Sequence, residues 1–118
     1  MNTLALGAIA VSAALALAGA AEAHAHLVTA SPAAGAKGPA PSQIKLTFSE
    51  GLVGKFSKLA LTDAAGHKAP LGPAAVDGKQ MSAAVSGKLA PGAYKVSWTA
   101  VSADTHRTSG GFSFTVTP

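Results

Sequence analysis

The residues able to do chemistry are few. His24 and His26 stand one alanine apart behind a run of small residues, and His106 follows Asp104 at a spacing of two. Imidazole and carboxylate are donors that borderline divalent metals accept. The chain has no cysteine, which excludes thiolate metal sites, a cysteine nucleophile and a disulfide scaffold. The other carboxylates beyond the leader are Glu50, Asp63 and Asp77. Asp63 and Asp77 fall in turn contexts, Asp-Ala-Ala-Gly and Val-Asp-Gly, where a short side chain bonds nearby backbone, so both read as structural.

Asp104 and His106 follow one strongly strand-like stretch and precede another. In extended backbone, residues i and i+2 point to the same side. A carboxylate beside an imidazole either offers both donors to a metal or leaves the aspartate orienting the histidine.

The other histidines depend on processing. Residues 4–20 are almost wholly Leu, Ala, Val and Ile, closing on small residues. That run is too short and too alanine-rich for a membrane span, which needs about 20 strongly apolar residues. It fits the apolar core of a secretory signal, although only the free amine supplies positive charge ahead of it. Small-x-small patterns allow cleavage before Ala21, His24 or His26, and the cut before His24 is preferred. The signal is then residues 1–23, and 24–118 remain as one domain of single-core size. Cleavage there gives His24 a free amine, which closes a chelate ring with its own ring nitrogen. With Asp104 and His106 the set is three nitrogens and one oxygen, able to lie in a plane. Cu(II) favours such a tetragonal N,O set and heads the affinity order for it. Zn(II) accepts the same atoms but prefers a tetrahedron.

Elements that would position these donors show period two. Stretches 44–49, 94–100 and 112–116 alternate apolar and polar cleanly, with weaker strand candidates at 26–30, 58–62 and 79–85. Turn clusters separate them at 31–41, 63–66, 70–73, 86–87, 91–92 and 109–111. No useful window beyond the signal has helical periodicity. Short strands with one buried face and frequent turns predict an all-β antiparallel sandwich or small barrel. Most aromatics fall on the alternating apolar faces and read as core. The formal net charge of +4 rises by one when Glu22 leaves with the signal, and the nine basic residues are spread singly. Nucleic-acid binders cluster theirs on one face, so no nucleic-acid partner is expected.

Three segments carry a resemblance: HAHLV (24–28) with Ser31 and Pro32 after it, IKLTFSE (44–50), and YKVSWTAVSADTH (94–106) running on to Gly110 and Phe112. Over its whole mature length the chain resembles the CopC family of periplasmic copper-binding proteins. The family's register sets its N-terminal histidine three residues before the Leu of the first strand, here Leu27, which selects His24. The resemblance implies a single-domain Greek-key β-barrel or sandwich, immunoglobulin-like or cupredoxin-like, holding one Cu(II) through His24, Asp104 and His106. It implies that Glu50 stands beside the site. His26 shares a face with His24 in a strand and is placed as a neighbour. An inner-membrane copper transporter of the CopD kind is the implied partner. Some members also hold Cu(I) in a methionine-rich loop. The corresponding loop here, 62–70, has no methionine, and the chain has two in all, Met1 and Met81. One thioether and one imidazole do not make a soft Cu(I) cage, so no Cu(I) site is expected and His67 reads as an ordinary loop histidine.

The expected function is a periplasmic Cu(II) carrier or buffer in copper homeostasis or resistance, without catalysis and not membrane-spanning after cleavage. Two rivals remain. One is a copper oxidase of the polysaccharide monooxygenase type, which also uses an N-terminal histidine but needs the open coordination position that Asp104 would close. The other is a metal-free immunoglobulin-like interaction domain.

Overall fold

The computed structural model describes residues 25–118; the segment 1–23, read above as a secretory signal, and His24 lie outside the described residues. Eight strands run in order: β1 (Leu27–Ser31), β2 (Lys37–Gly38), β3 (Gln43–Phe48), β4 (Lys58–Asp63), β5 (Ala75–Asp77), β6 (Gln80–Ala84), β7 (Gly92–Val101) and β8 (Arg107–Val116). They form two four-stranded sheets, ordered β1-β3-β6-β5 and β2-β8-β7-β4. The chain passes between the sheets after each of β1 to β4 and again after β6, giving the two-sheet sandwich that the alternation predicted, in the Greek-key form that the resemblance implied.

The core follows from that alternation. In β3, Ile44, Leu46 and Phe48 are buried while the residues between them are not. Leu61 of β4, Met81 of β6 and Val96 of β7 join them from the other strands, all at 1% exposure or less. Phe48 meets Trp98 edge-on across the two sheets, with ring centroids 5.0 Å apart, a favourable aromatic geometry. Tyr94 stacks on Phe114, and its hydroxyl donates to the carbonyl of Ala90 at 2.7 Å. That bond back to upstream backbone is a corner device common in Greek-key sandwiches.

Three features differ from the sequence reading. Ser109, Gly110 and Gly111 are not a turn but the middle of β8, paired with Thr99, Trp98 and Ser97. Side-chain and backbone atoms of β7 occupy the space beside these glycines. A Cβ on Gly110 would lie 2.5 Å from Cζ2 of Trp98, and one on Gly111 would lie 2.8 Å from the Val96 carbonyl oxygen. Second, the 31–41 turn cluster holds β2, which pairs in parallel with the end of β8. Third, Phe56 is half exposed on a short 3-10 turn (Gly54–Phe56), with the Lys55 ammonium 5.7 Å from its ring centre.

Candidate metal centre

The β7–β8 hairpin positions the Asp-x-His pair. Its strands pair in register down to Val101 opposite Arg107, so residues 102–106 form the connection at one end of the sandwich. Ser102 closes that connection: its N–H donates to the His106 carbonyl at 3.1 Å, and its own carbonyl accepts from the Thr105 N–H at 2.9 Å. Thr105 has φ of 71°, and no other non-glycine among the described residues has a positive φ. A β-branched residue held there carries backbone strain of about 1–3 kcal/mol, which clusters at functional sites.

This strained turn brings Asp104 and His106 together. Nδ1 of His106 lies 2.9 Å from Oδ2 of Asp104. Oδ1 accepts the Ser102 hydroxyl in a very close contact and the His106 backbone N–H at 3.3 Å. The two side chains share a side as predicted, but through a turn rather than extended backbone. The Ser102 hydroxyl, followed by the His106 ring, holds the Asp104 carboxyl far below the usual carboxylate range. Asp104 is therefore an anion at any ordinary pH, ready to face a cation.

The 2.9 Å gap has two chemical readings. An Nδ1–H fills it as a hydrogen bond, the arrangement in which an aspartate orients a histidine. Alternatively, a metal with bonds of about 2.0 Å holds two donors at right angles about 2.8 Å apart, so both atoms fit one ion with little rearrangement. The donor pair therefore suits a metal of small radius and square geometry.

The chain's N-terminal segment arrives at the same end. The carbonyl of Ala25, itself 1% exposed, accepts the Thr108 hydroxyl at 3.0 Å, and Thr108 lies two residues beyond His106 in β8. His26 exchanges backbone bonds with Ser49: its N–H donates to Oγ at 2.8 Å, and its carbonyl accepts the Ser49 N–H at 2.8 Å. The His26 side chain is exposed, and His24 lies outside the described residues. Glu50 and Asp104 line one open cavity of about 240 Å³ together with Gly51, Ser102 and Ala103. Among the described residues no three histidine or acidic side chains gather into a metal cluster. Of the two Asp–His pairs among the described residues, Asp104 and His106 approach more closely, at 2.9 Å against 3.7 Å for Asp63 and His67.

At Asp63 and His67 the local readings hold. Asp63 accepts the N–H groups of Ala65 and His67 at 3.0 and 2.9 Å within its own turn, and His67 is an exposed loop residue. Met81 is fully buried between the sheets. Among the described residues no helix is long and apolar enough to cross a membrane. Sequence reasoning missed Ser102 and Thr108. A serine two positions ahead of an aspartate was the one available sign of the first, and nothing marked the second.

Comparison with known proteins points the same way. The family model for the CopC domain matches residues 27–117. Copper resistance protein C of Pseudomonas syringae pv. tomato is 43% identical over 97 residues, covering 75% of this chain and 77% of that one. Copper resistance protein C of Escherichia coli is 40% identical over 94 residues, covering 72% and 75%. The crystal structure of PcoC, a methionine-rich copper resistance protein from Escherichia coli, superposes with a TM-score of 0.71 at 38% identity, over 80% of this chain and 99% of that one. CopC from Methylosinus trichosporium OB3b superposes with a TM-score of 0.75 at 29% identity, over 80% and 95%.

Proposed function

This chain belongs to the CopC family and is a copper-binding protein of copper resistance, and from that premise we propose that it carries one Cu(II) after export to the periplasm. The ligands in this reading are the amine and ring of His24, the Asp104 carboxylate and the His106 imidazole. The observation that carries it is the Asp104–His106 pair, spaced at 2.9 Å on a turn that also meets the N-terminal segment through Thr108 and Ala25. His24 adjoins Ala25, and consecutive Cα atoms are about 3.8 Å apart. Glu50 stands beside the ligands rather than among them, at the wall it shares with Asp104.

His26 is a neighbour and not a ligand. A terminal chelate that wraps through deprotonated amides would need its backbone N–H, which Ser49 already engages. The buried Met81 supports a carrier of Cu(II) without a thioether site for Cu(I). A site saturated by protein donors supports binding and delivery rather than turnover.

The test is a Cu(II) titration of the secreted protein against a competing chelator across pH. One equivalent is expected, with affinity falling as pH drops from about 8 to 5, because protons compete for imidazole and amine. The sign follows from Asp104. A carboxyl held far below the usual carboxylate range stays ionised throughout that window, so it takes up no proton there. The loss therefore belongs to the nitrogen donors. An affinity that stays flat over the window would exclude them.

A further inference from the structure

Ser102 is 2% exposed, although every residue from Ala103 to Arg107 is exposed. Ser102 and Ser57 are the two buried polar residues among those described. Buried hydroxyls are held by partners, and the two serines use theirs differently. Ser57 serves the backbone: its Oγ donates to the Val53 carbonyl at 2.9 Å and accepts the Val101 N–H at 3.1 Å. Ser102 directs its hydroxyl at the Asp104 carboxylate. A hydroxyl has one proton to give, and the more distant His106 carbonyl, at 3.3 Å, is the poorer acceptor.

The consequence lies in which carboxylate oxygen remains to face a metal. Oδ1 is engaged by the Ser102 hydroxyl and the His106 N–H, whereas Oδ2 faces Nδ1 of His106. A carboxylate so held presents one oxygen beside one nitrogen. That suits a square N,O set. Ca²⁺, with its larger shell, accepts carboxylates through both oxygens. We propose that Ser102 is the positioning residue of the copper site: it ties back one oxygen of Asp104, so that the carboxylate binds through Oδ2 alone, next to His106. The proposal rests on the reading of Asp104 and His106 as copper ligands.

The experiment uses the secreted protein with its native terminus and Cu(II) alone as probe. Partners that orient a ligand typically cost 10–100-fold in metal affinity when removed. Ser102→Ala is therefore expected to weaken Cu(II) binding by about 10–100-fold and to shift the electron paramagnetic resonance parameters of the bound ion. Ser102→Thr keeps the hydroxyl and should restore both. Ser102→Val matches threonine in shape without the hydroxyl and should not, which keeps the test open if the alanine variant folds poorly. Ser57→Ala, a buried hydroxyl away from the carboxylate, should lower the melting temperature and leave the spectrum as it is. Parent affinity and spectrum in Ser102→Ala or Ser102→Val would overturn the proposal, as would a threonine variant no better than valine. Asp104→Ala separates the two levels. If it too binds as the parent does, the ligand assignment fails; if it alone weakens binding, only the role of Ser102 fails.

Discussion

One extra residue ahead of His24, or acetylation of its amine, is expected to weaken Cu(II) binding by about 100-fold or more. The estimate comes from four-donor sites of about 10–16 kcal/mol, or about 3 kcal/mol per donor, which is about two orders of magnitude each. An extension turns the amine into an amide and opens the chelate ring while leaving the imidazole in place. His24→Ala does the reverse, keeping the amine and removing the ring, and should cost a similar factor. The segment cannot compensate by sliding. The Ala25 carbonyl is bonded to Thr108, and the His26 N–H to Ser49, so the chain enters the site from a fixed point. Both changes leave every described residue as it is, and the metal-free protein should melt as the parent does. Mass spectrometry of the secreted chain fixes its first residue, and chelator competition then compares the variants. An extended protein that binds Cu(II) as tightly as the parent would remove the amine from the site.

The Asp104–His106 pairing was legible because two different backbones give the same answer. Extended chain sets residues i and i+2 on one side, and so does the turn that actually holds them, with Thr105 at φ 71°. Ser102 was not legible. At the end of an alternating strand a serine reads as an outward polar residue. Its burial comes instead from the chain around Leu52, which bridges to Ser102, and from Val53, whose N–H donates to the Val101 carbonyl at 2.8 Å. Those are contacts across some fifty residues of sequence, and no local pattern carries them. Among the strands with clean alternation, β3 appeared within a residue of its expected bounds. β7 and β8 begin two and five residues earlier than the alternation marked, since period two is a local property that glycines interrupt. Gly110 and Gly111 misled because glycine usually marks a turn. Here it marks the close approach of β7 side chain and backbone to β8.

That close approach sets the largest stability effect outside the copper site. Gly110→Ala is expected to destabilise the fold by about 2 kcal/mol, within the range of about 1–3 for overpacking a filled core. The new methyl carbon would stand 2.5 Å from Cζ2 of Trp98, 2.9 Å from Cε2 and 3.2 Å from Cη2, where it needs more than 3.0 Å. The indole cannot simply yield, because it is also in edge-to-face contact with Phe48, a residue 1% exposed in the core of the sandwich. Strain is not the cause, as Gly110 is absent from the glycines with positive φ. For a domain of this size the cost corresponds to a melting temperature lower by about 8–16 °C, and Gly110→Val should cost more. Trp98→Leu makes the mechanism testable. It should itself destabilise, yet in its background Gly110→Ala should cost markedly less, a coupling expected of residues in direct contact. Calorimetry of the four proteins closes the cycle. Additive effects would place the penalty elsewhere than the ring, and an unchanged melting temperature for Gly110→Ala would show that the sandwich opens freely there. Trp98 and Gly110 also sit three pairs above Val101 and Arg107 on the hairpin whose end carries Asp104 and His106. A fold loosened at that pair should therefore be rescued in part by Cu(II), because a ligand that binds only the folded state stabilises it by mass action.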